Sequence, residues 1–321
     1  MRAKRIIASA IMSVVALTTV SFAQEKPIAL KVGTLKQGSL TNLWVAKQVG
    51  IFAKNGLDVE LIEFRNGNEA ISAQRGGSVD LVLSIPGTAM TANERGFDLM
   101  LISSNETSQA STPDTGSIVV RKDSSIKKLA DLKGKTIAIA GTHTQKTVAI
   151  QTLLARHGVG VNDFKFMEMP YASQVDALRN KQIEVVASLD PWTTIFRNSE
   201  FATILAYDYY ESLPEQPIGG WFARREWVSK NGEAAKRFAQ SICDSADYMQ
   251  QDLDRARRNI AAYTGLDPAL VKEVPVHRWT CKVNVAVWQK VADMMFDGGE
   301  LQKRFDVKSW FSDAVKPLLV Q

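Results

Sequence analysis

Apolar and polar positions alternate at the start of the chain: Ile28, Leu30 and Val32 bracket Ala29 and Lys31, the period of two of a strand. Gly38 and Ser39 interrupt that pattern. Leu43, Trp44, Ala46 and Ile51 then follow at helical spacing, with Ser39 or Thr41 placed to cap the helix. Asn55-Gly56 is a helix stop, and Val59, Leu61 and Ile62 resume a strand. A strand that feeds a helix through a small-residue loop leaves backbone N–H groups unpaired above the sheet, where a small anion can bind.

The pattern returns over residues 135–169 as strand, Gly/Thr loop, helix, Gly stop and strand. The next unit also has an echo, since residues 68–84 and 173–190 both read as helix, basic residue, turn and β-rich strand. Few residues are shared between the halves, so the repeat is one of shape. Two such units predict an α/β protein with two lobes facing across a cleft. Val119 lies in a strand that crosses to the second lobe, and residues 219–223 form the return strand. The segment 207–216 reads as a polar-aromatic loop. From Gly232 onward the pattern is helical, with no β-rich run, and it predicts a cap on the first lobe.

The first residues form a separate segment. MRAKR is basic, IIASAIMSVVALTTV is apolar, and Ser21-Phe22-Ala23 places small residues before Gln24, which predicts a cleavable leader over 1–23 and a periplasmic product. The remaining organisation is one lobe over 24–117 and 221–321 and the other over 118–220. The whole chain carries 39 basic and 34 acidic residues, but without the leader the count is 36 against 34. That balance leaves no basic surface for nucleic acid. Cys243 and Cys281 are the two cysteines. In an oxidising compartment they form a disulfide or remain buried thiols, and neither has a second ligand at metal-site spacing. No metal or cofactor is expected.

Two stretches carry a family resemblance: GIFAKNGLDV at Gly50 to Val59 and SSIKKLADLKGK at Ser124 to Lys135. With SVDLVLS, IEVVASLDPW and WFARREWVSKN in order around them, the chain resembles the nitrate/sulfonate/taurine class of periplasmic solute-binding proteins. These are the receptors of ABC importers. The resemblance implies a type II periplasmic binding fold, with two α/β lobes joined by two crossing strands, a C-terminal helical cap and a ligand between the lobes. It implies a small-molecule ligand, a permease with its ATPase as partners, and a monomeric receptor.

Carried onto this chain, the site draws on Gln37, Gly38, Ser39 and Asn42, then on Ser84, Pro86, Gly87 and Thr88. Asn105, within the run Ser104-Asn105-Glu106, follows the next strand. Gly141, Thr142, His143 and Thr144 open the second-lobe helix, and Asp190 with Trp192 closes the set. Two helix N-termini favour a small organic anion, a sulfonate or a carboxylate, with aromatic side chains to hold an apolar body. Asp190 in the cleft would instead favour an amine or an alcohol. His157 and His277 read as structural. The alternative functions are a secreted enzyme or a sensor lobe on the same fold, acting on a pyrimidine-like or other small metabolite. The sequence shows no G-x-S-x-G, H-E-x-x-H or Gly-rich phosphate motif for an enzyme.

Overall fold

The computed structural model describes residues 26–65 and 67–320, so the expected leader lies outside the described residues. Four strands come first: β1 (Ile28–Thr34), β2 (Leu57–Glu63), β3 (Leu81–Ser84) and β4 (Leu99–Thr107). Five more follow: β5 (Gly116–Arg121), β6 (Thr136–Ile139), β7 (Lys165–Glu168), β8 (Val185–Leu189) and β9 (Ala202–Ala206). The chain then returns through β10 (Pro217–Arg224) and the short β11 (Arg278–Trp279). One sheet has the order β11-β4-β10-β3-β1-β2 and the other β7-β6-β8-β5-β9.

β1 runs parallel to β2, from Ile28 opposite Leu57 to Thr34 opposite Glu63. β10 inserts antiparallel between β3 and β4 and returns the chain to the first sheet. The expected crossing positions therefore lie inside the sheets, with Val119 paired to Val186 and Phe222 to Val82. The chain passes between the sheets at 108–115 and again at 213–216. These segments run side by side: Ser108 N–H donates to Gln216 O at 2.9 Å, and Glu215 N–H to Gln109 O. Asp114, fully buried, collects the backbone N–H groups of Gln109, Thr115 and Tyr210 and fixes the first segment.

The first predicted helix is two helices, Thr41–Gln48 and Ile51–Lys54. Gly50 between them takes φ 76°, a left-handed conformation that ends the first helix. The supposed loop after β9 contains the helix Asp208–Ser212. Burial explains the misreading: Asp208 is fully buried against Lys146, whose Nζ lies 2.8 Å from its carboxylate. The C-terminal region is not wholly helical either. β11 pairs with β4, Val283–Asn284 pairs with Leu319–Val320, and residues 307–310 form only a 3-10 turn.

The helices Gly232–Gln250, Leu253–Thr264 and Val285–Asp297 cover the first sheet. Trp221 of β10 packs edge-on against Phe238 at 5.2 Å, and Trp288 and Trp310 fill the same core. Cys243 and Cys281 are joined by a disulfide, which ties the helix Gly232–Gln250 to the segment after β11.

Candidate functional site

A cavity of about 640 Å³ lies between the two sheets. The loop after β1 supplies Leu35 to Ser39, and the end of β3 supplies Leu83, Ser84, Ile85 and Thr88. The second lobe contributes Tyr171, Leu189, Asp190, Pro191, Trp192 and Tyr209. A third wall comes from the C-terminal region through Ile260, Leu266, Val271, Val274 and His277. Apolar side chains make up most of the surface, and a few polar groups converge on it, as in sites that hold organic ligands.

The loop Gln37 to Ser39 is held from beneath. Asn105 Nδ2 and Trp279 Nε1 both donate to Ser39 O at 3.0 Å. Asn105 Oδ1 in turn accepts from Asn42 Nδ2 and Trp221 Nε1, each at 3.0 Å. Asn42 and Asn105 are fully buried, so these two predicted ligand contacts support the loop and do not line the cavity. Neither Ser39 nor Thr41 caps the following helix, whose N-terminus has no side-chain cap. A 3-10 turn over Gly38–Leu40 makes the entry instead.

The predicted set divides. Gln37, Gly38, Ser39, Ser84, Thr88, Asp190 and Trp192 line the cavity. Pro86 and Gly87 are buried at the start of the helix Pro86–Glu94, and Gly87 N–H donates across the lobes to Gln145 Oε1 at 3.2 Å. Gly141, Thr142, His143 and Thr144 do not line the cavity, because their polar groups are taken up elsewhere. Thr142 donates N–H and Oγ1–H to Glu168 at 2.9 and 2.7 Å. His143 is exposed and meets Glu300 at 3.2 Å. Thr144 caps its own helix through Thr147. The next side chain, Gln145, is buried and donates to Gln216 Oε1 and Pro217 O, filling the space between the lobes.

Two acidic groups reach the cavity. Glu106 is buried, and its Oε1 lies 2.8 Å from His277 Nδ1. Burial pushes the His277 pKa down, but the charge and hydrogen bond of Glu106, with the charge of Asp190, outweigh it and leave the pKa raised. His277 thus lines the cavity, paired with Glu106, outside the helices of the cap. Gly38 makes room for it, since a Cβ there would collide with His277 Nε2.

Asp190 accepts from Thr194 N–H and Oγ1–H through Oδ1, at 2.9 and 2.7 Å. Its Oδ2 is buried without a partner. Burial raises its pKa to about 6, against the Thr194 hydrogen bonds and the nearby charges of Arg197 and His277. Trp192 stacks on Tyr171 with centroids 5.4 Å apart, which makes an aromatic wall beside Asp190. Two other tryptophans stand away from that wall: Trp221 is fully buried and Trp44 stacks on Tyr263 in the core.

Sequence reasoning missed His277, Tyr171 and the C-terminal wall. The alternation of Val274, Val276 and the run His277-Arg278-Trp279 before Cys281 is a weak strand signal that would have separated His277 from the helices. Among the described residues no group of three or more His, Cys, Asp or Glu side chains could hold a metal ion. Nor, among them, is any helix long and apolar enough to cross a membrane.

Solved structures share this architecture. The periplasmic aliphatic sulphonate binding protein SsuA of Escherichia coli aligns at TM-score 0.73 and 20% identity, over 89% of this chain and 97% of that one. The ligand-binding component of an ABC-type import system from Staphylococcus aureus, solved with zinc bound, aligns at TM-score 0.74 and 14% identity, over 91% and 99%. The periplasmic nitrate-binding protein NrtA of Synechocystis PCC 6803 gives TM-score 0.70 and 15% identity, over 88% and 85%. At these identities the likeness is one of fold, and that fold is the periplasmic binding protein fold. A family profile described as NMT1/THI5 like matches residues 37–256, more than half of the sequence, and the chain belongs to the NMT1/THI5-like family.

Proposed function

We propose that this protein is the extracytoplasmic substrate-binding receptor of an ABC importer, which captures a small, partly apolar organic solute between its lobes and presents it to a permease with its ATPase. The observation that carries this reading is the interlobe cavity of about 640 Å³, which opens between two sheets whose chain connections are the paired segments 108–115 and 213–216. Such a connection lets the lobes hinge over a solute, and the closed form is the natural docking state for a permease. A basic, apolar leader over 1–23 fits delivery to the periplasm.

A small organic anion is the second reading. The neighbours named for sulphonate and nitrate favour it, and so does the placement of Lys36 and His277 on the cavity. Against it, the Gly141–Thr144 loop, which was to supply the second helix N-terminus, directs its donors to Glu168 and to its own helix.

The test is a thermal-shift screen of a metabolite library on protein unfolded and refolded to strip any carried-over solute. A solute at about 100 times its Kd adds roughly 2.7 kcal/mol, a readable rise in melting temperature. A hit recovered unchanged by mass spectrometry supports a receptor, whereas a hit recovered as a product overturns this reading in favour of an enzyme. No hit across the library would also count against it.

A further inference from the structure

The cavity has two unlike ends, and together they describe the solute. At one end one carboxylate has no direct ion pair, although the charge of Arg197 lies near it. Glu106 and His277 neutralise each other at 2.8 Å. Lys36 is turned to Glu63, at 4.0 Å, and to the ring of Tyr263, at 5.0 Å. Of the two carboxylates on the cavity, Asp190 is left without an ion pair, with Oδ2 buried and unpartnered. A buried acceptor without a donor is costly, and a ligand group that supplies the donor recovers that cost.

At the other end the wall is apolar. Ile260, Leu266, Val271 and Val274 line it. All four lie beyond residue 256, outside the stretch that the family profile matches. The wall faces a cavity shared with the Trp192–Tyr171 stack, and it is held against the second lobe by Arg197, whose Nη2 donates to Glu273 O at 2.5 Å.

We propose that the solute carries a donating nitrogen, a protonated amine or a ring N–H, that bonds Asp190, and an apolar body that lies along Ile260, Leu266, Val271 and Val274. This rests on the receptor reading and gives it a substrate class. A cationic head also suits the aromatic faces of Trp192 and Tyr171. A sulfonate or carboxylate head would meet Asp190 as a like charge and would be bound only with that group protonated.

The test compares phenylpropylamine, phenylpropionate, phenylpropanesulfonate and propylamine, titrated into the purified protein by calorimetry. Phenylpropylamine is expected to bind at least about tenfold tighter than the two acids and than propylamine. Asp190→Asn should weaken phenylpropylamine by about tenfold or more while leaving the circular dichroism spectrum unchanged. Leu266→Gln should weaken phenylpropylamine and leave propylamine unaffected, and the comparison of the two amines on the native protein tests the wall even if that variant does not fold. Equal or tighter binding of either acid, or unchanged amine affinity in Asp190→Asn, overturns the head-group assignment. Equal binding of the two amines overturns the wall. If none of these probes binds, the inference fails, while the receptor reading still stands or falls on the library screen, which presumes no head group.

Discussion

The loops after β1 and after β6 are alike in pattern and opposites in use. Each follows a strand, carries Gly and hydroxyl residues and opens a helix. The first, Gln37 to Ser39, lines the cavity and enters its helix with no side-chain cap. The second, Gly141 to Thr144, closes on itself: Thr144 caps, Thr142 bonds Glu168, and Gln145 plugs the gap to the first lobe. A helix N-terminus is an anion site only if nothing nearer has already taken its donors. In this chain the second lobe reaches the cavity through Asp190 and Trp192 instead.

The sharpest way to break that contrast is to remove the histidine beside each loop. His277→Ala leaves Glu106 buried without its partner and should cost about 3 kcal/mol or more. His143→Ala removes an exposed contact with Glu300 and should stay within about 0.5 kcal/mol. Chemical denaturation measures both, and equal costs would mean that the two loops are equivalent after all.

Asp190 gives the next effect, and its sign depends on pH. A carboxyl whose pKa is raised by folding holds its proton more tightly in the folded state. Its contribution is therefore complete below about pH 4 and is lost as pH rises through about 6. Asp114, also raised to about 6 by burial, slopes the same way. Asp190→Asn keeps the Thr194 bonds to its remaining oxygen and removes the buried charge. The ligand-free variant should gain on the order of 1–3 kcal/mol at pH 8 and nothing at pH 4. Melting curves at the two pH values decide it, and a loss at pH 8 would mean that the ionised carboxylate is held by partners within the protein.

The two-sheet plan was legible because it is written locally: a period-two run at Ile28–Val32, a Gly stop at Gly56, and β-rich segments at each lobe. Half of the candidate site was legible for the same reason, since Gly38, Ser84 and Asp190 sit where strands end. What stayed hidden depends on distant partners. Glu106 and His277 are 171 positions apart, and no local pattern pairs them. Gln145 reads as an ordinary first-turn residue, and only the folded chain shows that it bonds Gly87 and Pro217. The cysteines, undecided from spacing alone, needed the helix Gly232–Gln250 laid beside β11 before they could meet.

The paired glycines sharpen the comparison at smaller scale. Gly38→Ala drives a methyl into His277 Nε2 and should cost about 1–3 kcal/mol, with His277 displaced from Glu106. At Gly141 an added Cβ meets nothing closer than Thr144 at 3.9 Å, so Gly141→Ala should stay within about 0.5 kcal/mol. A tolerated Gly38→Ala would show that His277 has a second position open to it, readable as a change in its imidazole NMR titration.

The smallest effect tests the caps themselves. Thr144 accepts from Thr147 N–H and receives the Thr147 hydroxyl at its own backbone oxygen, so Thr144→Ala should cost about 1 kcal/mol. Ser39 offers no such bond: its Oγ accepts only from Gln37 Nε2, at 2.9 Å. Ser39→Ala should therefore leave stability within about 0.5 kcal/mol and change ligand affinity instead, because the hydroxyl lies on the cavity. Denaturation midpoints and ligand titrations on the same two variants separate the cases. If Ser39→Ala were as destabilising as Thr144→Ala, the first loop would also be spending its hydroxyl on its own helix, and the reason for one loop serving the cleft while its counterpart does not would have to lie in Gln145 alone.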